Sequence, residues 1–278
     1  MKFTKLQGAG NDFILIEAGG LDRDWARLAV AMCRQHYGVG ADGLLLLLPS
    51  DTSDFKMRVF NADGSEAEAC GNGLRCCARY IVDRISARAD RILLETEAGV
   101  REVRLHRAED KLRIQVGMGK PIFCPSEIPV QVEPGTAAPV LDYAVTIAGK
   151  KLMLNFVSMG NPHAVYFHPG KVADFPLSQI GPKVEGNPMF PRRTNFEVAY
   201  IVNRQQIEAR VWERGAGETL ACGTGACAIA VASQLHSYTD SSVDIKMTGG
   251  KLSVDWDRVG EVYLSGPADI VFTGEWLQ

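Results

Sequence analysis

Apolar positions along this chain fall into short runs. Residues 3–6, 13–17, 43–48, 56–60, 91–97, 101–106 and 111–116 show alternating or wholly apolar stretches bounded by Gly, Asp or Pro, and each predicts a β-strand. The run 43–48 is apolar throughout, as in a buried strand. Helical spacing predicts one helix over 25–36, with Asp22 or Asp24 as its cap and Gly38 beyond its end. A second helix is predicted over 71–85. Residues 121–149 are rich in Pro and Ala and read as a crossover or linker. The strand pattern then restarts at 152–157, 164–167, 196–202 and 207–212. A helix follows over about 223–236, and hairpin-like strands run from 243 to 272.

The restart is a repeat. MRVFNADGSEAEACGNG (57–73) overlies ARVWERGAGETLACGTG (209–225). Identities fall at Arg58/Arg210, Val59/Val211, Glu66/Glu218, Ala69/Ala221, Cys70/Cys222, Gly71/Gly223 and Gly73/Gly225, an offset of 152 (222 − 70). GAGNDFILI (8–16) overlies SMGNPHAVY (158–166) at an offset of 150, pairing Asn11 with Asn161. Matched blocks in the same order imply a duplicated domain. The expected class is α/β (α+β), with two pseudo-symmetric domains, each a barrel-like, mostly antiparallel sheet around a central helix. The boundaries are placed at 1–119 with a returning strand 267–278, and at 120–266.

Composition narrows the function classes. The net charge of −3 gives no basic footprint for nucleic acid. No apolar run approaches the ~20 residues that a membrane-spanning helix needs, and no signal peptide is visible, so the expected location is cytoplasmic. Seven cysteines at irregular spacing suit free thiols in a reducing compartment. Their spacings, C-x5-C-C and C-x4-C, lack the paired patterns of a zinc site. No metal is expected.

The chemistry concentrates at Cys70 and Cys222. Each copy reads strand, loop, Cys-Gly-x-Gly, helix. First-turn amides have no intrahelical partner, and with the helix dipole they form an anion site. The same position lowers a thiol pKa from about 8.5 to roughly 3.5–7.5. A carboxylate cradle and an activated thiol are therefore expected in each half. If the halves face one another, one sulfur stands on each side of a bound amino acid's α-carbon. One thiolate then removes the α-proton while the other thiol delivers a proton to the opposite face. The remaining cysteines, Cys33, Cys76, Cys77, Cys124 and Cys227, read as small buried hydrophobes. Glu66 and Glu218 read as carboxylates accepting loop amides, and Arg75 as a solvated charge.

GAGNDF (8–13), FNADGSEAEACGNGLRC (60–76), GNPHAV (160–165), TNFEVA (194–199) and WERGAGETLACGTGACA (212–228) together resemble the diaminopimelate epimerase family. The resemblance covers nearly the whole chain. It implies interconversion of LL- and meso-diaminopimelate without pyridoxal phosphate, on the route to lysine and peptidoglycan, by a homodimer that needs no cofactor. It implies Cys70 and Cys222 as the acid/base pair, and His163 and Glu213 as groups tuning the thiols. Gly71, Asn72, Gly223 and Thr224 become the carboxylate loops, and Asn11, Asn61, Asn161, Asn195, Glu213 and Arg214 the substrate-binding set. Gly43 stands where some members carry Gln, so any side-chain contact from that place is lost. The alternatives are a racemase or epimerase for proline, hydroxyproline or histidine, a non-catalytic amino-acid-binding protein, and a pyridoxal phosphate enzyme.

Overall fold

The computed structural model describes residues 1–68, 70–108 and 111–277. The chain forms two compact units, residues 1–117 with 265–278 and residues 118–264. The end of the expected strand 267–278, Gln278, and the repeat position Ala69 lie outside the described residues.

The first unit contains β1 (Lys2–Gly8), β2 (Asn11–Glu17), α1 (Trp25–Cys33), β3 (Gly43–Leu48), β4 (Phe55–Asn61), β5 (Glu66–Ala67), α2 (Gly71–Arg84), β6 (Arg91–Thr96), β7 (Gly99–Ala108) and β8 (Lys111–Gly117). The second contains β9 (Tyr143–Ile147), β10 (Lys150–Ser158), β11 (Pro162–Phe167), α3 (Leu177–Glu185), β12 (Asn195–Asn203), β13 (Gln206–Glu213), β14 (Gly217–Thr219), α4 (Gly223–Leu235), β15 (Ser242–Met247) and β16 (Gly250–Asp255). β17 (Tyr263–Gly266) leads back to the first unit, where β18 (Asp269–Glu275) pairs antiparallel with β1.

The duplication is legible strand by strand. β1–β2 and β10–β11 are antiparallel, β2–β3 and β11–β12 parallel, β3–β4 and β12–β13 antiparallel. β4–β6 and β13–β15 are again parallel. Mixed sheets of this kind wrap one helix per unit. α2 packs against β1, β2, β3, β4, β7, β8 and β18, and α4 against β10, β11, β12, β15 and β16. The sequence of α4, GTGACAIAVASQL, is apolar on every side, as a helix enclosed all round must be.

Outside each sheet lies a second helix. Leu44 and Leu46 of β3 pack beneath α1 with Ile14, Trp25 and Met32. Leu45 points the other way, toward Gly73 of α2. Burial on both faces explains the unbroken apolar run of β3. α1 begins on Asp24, whose side chain accepts from the Arg27 amide at 3.0 Å, but it ends at Cys33, short of the expected 36. There Gly38 turns back onto the helix end, where a Cβ would lie 2.4 Å from the Ala31 carbonyl.

Two further expectations fail. Residues 121–149 are not a linker: Ile128, Val130 and Val140 are buried in the second unit's core, and β9 pairs with β10. Widely spaced apolar residues among Pro and Ala conceal this in the sequence. Cys124 is exposed rather than core.

Candidate active site

Both cysteines expected to carry chemistry are helix N-caps. Cys70 holds extended dihedrals, φ −142° and ψ 114°, and its Sγ accepts from the Gly73 amide at 3.4 Å. Cys222 does the same at φ −120° and ψ 119°, accepting from Gly225 at 3.3 Å. A thiol sulfur thus fills the place usually taken by Ser or Asp. The close approach needs glycine at the third helical position. A Cβ on Gly73 would lie 3.0 Å from the Leu45 side chain, and one on Gly225 would lie 3.0 Å from Glu197 Oε1.

The strands leading into the two loops are braced alike. Arg58 donates to Glu66 through Nε at 2.7 Å and Nη2 at 2.9 Å, and Arg210 to Glu218 at 2.8 and 3.0 Å. Glu66 and Glu218 therefore hold guanidinium forks rather than loop amides. Such bidentate pairs fix geometry.

In the first unit, Gly71 and Asn72 open α2 and are buried. Asn72 Nδ2 donates to Asn11 Oδ1 at 3.0 Å, and Asn11 Nδ2 donates to Asp42 at 2.8 Å. Asn61 ends β4 exposed, donating to Ser65 Oγ at 2.9 Å. Gly43 faces Phe13 and Asn61 across the sheet. A Cβ there would sit 2.9 Å from the Phe60 carbonyl, so the site can carry no side chain without a shift. Arg75, expected in solvent, is wholly buried.

In the second unit, Gly223 and Thr224 open α4. Asn161 Nδ2 donates to Thr224 Oγ1 at 3.4 Å, and that hydroxyl lies 3.4 Å from Cys222 Sγ. His163 is fully buried, with Nδ1 2.7 Å from Glu197 Oε1 and Nε2 2.9 Å from Asn161 Oδ1. Its hydrogen bonds thus run to Glu197 and Asn161. Asn195 spends its amide on the fold, donating to the Pro162 carbonyl at 2.9 Å and accepting from the Arg214 amide at 2.9 Å. That contact places the exposed Arg214, whose guanidinium also reaches the Arg192 carbonyl at 3.2 Å. Glu213 accepts from Thr219 Oγ1 and from the Cys222 thiol.

The electrostatics of Cys222 reverse the expectation of a lowered pKa. Burial pushes this thiol well above its ordinary value, and the Glu213 carboxylate pushes it further; the Thr224 hydroxyl and Gly225 amide oppose them without prevailing. Desolvation of a thiolate outweighs the hydroxyl and amide bonds that favour it here. Glu213 is itself raised, first by burial and also by Glu197. The surroundings of Cys222 thus favour its protonated form, while Cys70, half buried, keeps more contact with water.

The sequence matches the family model for diaminopimelate epimerase over residues 3–124 and 155–271. The chain belongs to the diaminopimelate epimerase family. It is 48% identical over 283 residues to a diaminopimelate epimerase of Pelotomaculum thermopropionicum, covering 99% of both chains. It is 45% identical to one of Desulfovibrio desulfuricans, covering 99% of this chain and 98% of the relative. Among solved structures, a probable proline racemase from Agrobacterium radiobacter shares the fold at a TM-score of 0.73, with 12% identity over 99% of this chain and 92% of that one.

Sequence reasoning passes over Glu197, Asp42 and the burial of Arg75. For Glu197 a signal exists: a lone carboxylate inside the apolar run NFEVAYIV. The Arg58–Glu66 and Arg210–Glu218 braces are also readable, since both charges recur at one spacing.

Proposed function

We propose that this chain interconverts LL- and meso-diaminopimelate by a two-base proton transfer that uses no cofactor, with Cys70 and Cys222 acting on opposite faces of one α-carbon. The observation that carries the reading is the matched pair of sulfur-capped helix mouths, one per unit, in a member of the diaminopimelate epimerase family. Cys70, as thiolate, takes the α-proton. The electron pair left on carbon delocalises into the α-carboxylate, which the first-turn amides at Gly71, Asn72, Gly223 and Thr224 stabilise where charge develops. Cys222, held protonated by burial and Glu213, delivers its proton to the other face. The roles exchange in the reverse direction. Asn11, Asn61, Asn161 and Arg214 bind the substrate's polar ends, Arg214 as a fork for a carboxylate. Asn195 serves by setting Arg214, and His163 by orienting Asn161.

The family likeness supports a homodimer, which sedimentation velocity reads directly. The free state of the cysteines supports a reducing, cytoplasmic setting. The chemical test is incubation with LL-diaminopimelate in D2O, with proline and histidine in parallel. Deuterium at the α-carbon together with LL/meso interconversion is expected, and Cys70→Ala and Cys222→Ala each abolish interconversion. Near-normal turnover by either variant refutes the two-base assignment, and binding without exchange refutes catalysis.

A further inference from the structure

Arg75 is the bulkiest fully buried side chain among the described residues. A buried cation is costly unless its donors are satisfied. Its Nη2 donates to Asn72 Oδ1 at 2.7 Å, Nη1 to the Gly71 carbonyl at 3.4 Å and Nε to the Pro267 carbonyl at 3.4 Å. Two of these partners, Gly71 and Asn72, belong to the carboxylate loop.

A guanidinium only donates and a carboxylate only accepts. Asn72 must therefore turn Oδ1 to Arg75, which leaves Nδ2 for Asn11 Oδ1, which in turn leaves Asn11 Nδ2 for Asp42. Each amide has one permitted sense. We infer that Arg75 and Asp42 are positioning residues: by closing the chain with a donor-only and an acceptor-only end, they lock the amides of Asn72 and Asn11 and so fix the donor and acceptor pattern offered to the substrate. This rests on the reading of Asn11 and Asn72 as substrate-binding groups.

The second unit lacks the device. Position 227, equivalent to 75 by the offset of 152, is Cys. Asn161 there lies between the His163 ring, whose other nitrogen meets the acceptor-only Glu197 carboxylate, and the Thr224 hydroxyl, which can donate or accept, so that run is closed at one end only. The first half alone is fixed at both ends.

The test uses the full chain carrying Asp42→Ala, Asp42→Asn, Arg75→Lys, and Asp42→Ala combined with Arg75→Lys. Asp42 is exposed, and its carboxylate also accepts from the Asp12 backbone amide at 3.0 Å, a bond that Asp42→Asn can keep. An asparagine in place of Asp42 can still accept, and a lysine in place of Arg75 keeps charge but not the guanidinium's directed fork. With diaminopimelate, Asp42→Ala and Arg75→Lys each raise KM about tenfold, the loss of roughly one hydrogen bond's discrimination, with a smaller change in kcat. The combined variant is no worse than either single one, and Asp42→Asn recovers most of the loss. Multiplying effects, or an unchanged KM in both single variants, overturn the inference. Side-chain 15N–1H spectra give a readout free of activity: Asp42→Ala must shift the Asn72 amide pair, two links away. An unmoved Asn72 pair overturns the lock. Inactive wild-type protein would sink the proposed function alone, and the spectra would still decide this point.

Discussion

Cys76 lies inside α2, fully buried, and burial pushes its thiol from 9.0 up to about 12 against the opposing charge of Arg75. The folded state therefore keeps a proton that the unfolded chain releases near pH 9. Stability is full below that pH and falls as pH rises toward the folded pKa, because the native state then binds more protons than the unfolded one. Above pH 9 the slope is about 1.4 kcal/mol per pH unit, so a rise from pH 8 to about 10.5 removes about 2 kcal/mol through this one thiol. Cys76→Ala deletes the titrating group. At pH 8 the variant is less stable by about 1 kcal/mol, a typical cost for a buried truncation. At pH 10.5 the order inverts, and the variant is the more stable by about 1 kcal/mol. Urea unfolding under reductant at both pH values measures this, and both chains share every other titrating group, with Cys77 coupled to Cys76. A stability gap that stays constant or widens with pH would show that the thiol is not held protonated by the core.

Glu213→Gln removes the carboxylate that adds to the burial of Cys222. The thiol falls but stays above its ordinary value, since burial remains, and peptide-resolved alkylation at pH 8 becomes faster at Cys222; an unchanged or slower rate contradicts the assignment. Gly181→Ala in α3 places a Cβ 2.6 Å from the Trp212 ring. The overlap costs about 1–3 kcal/mol, exceeding the helix-propensity gain of up to about 1 kcal/mol; a raised Tm would refute it.

What the sequence discloses follows from what is local. Strand β3 is bounded to the residue because its apolar run is flanked by Asp42 and Pro49. The N-caps at Cys70 and Cys222 are readable because Gly-x-Gly follows each. α3 escapes notice because Gly181 and Pro182 signal a loop, whereas here the glycine is required by Trp212 lying against it. Arg75 and Cys222 show the other limit. An arginine near a helix start and a helix-capping thiol have ordinary local expectations, solvation for one and a lowered pKa for the other. Both are overruled by burial, which depends on strands distant in sequence.

The duplication preserved the frame and changed the groups behind it. Strand pairings, arginine–glutamate braces and sulfur caps recur at matched positions. Behind the caps, Phe13 corresponds to His163, Leu45 to Glu197 and Arg75 to Cys227. The first unit therefore backs its helix mouth with a buried cation, and the second with the Glu197 and Glu213 carboxylates. Two identical halves would give both thiols the same affinity for a proton. The proposed two-base reaction needs one sulfur protonated while the other is not, a difference that unlike surroundings favour. Burial first, and then carboxylates that the first unit does not carry at the matching positions, raise the Cys222 thiol.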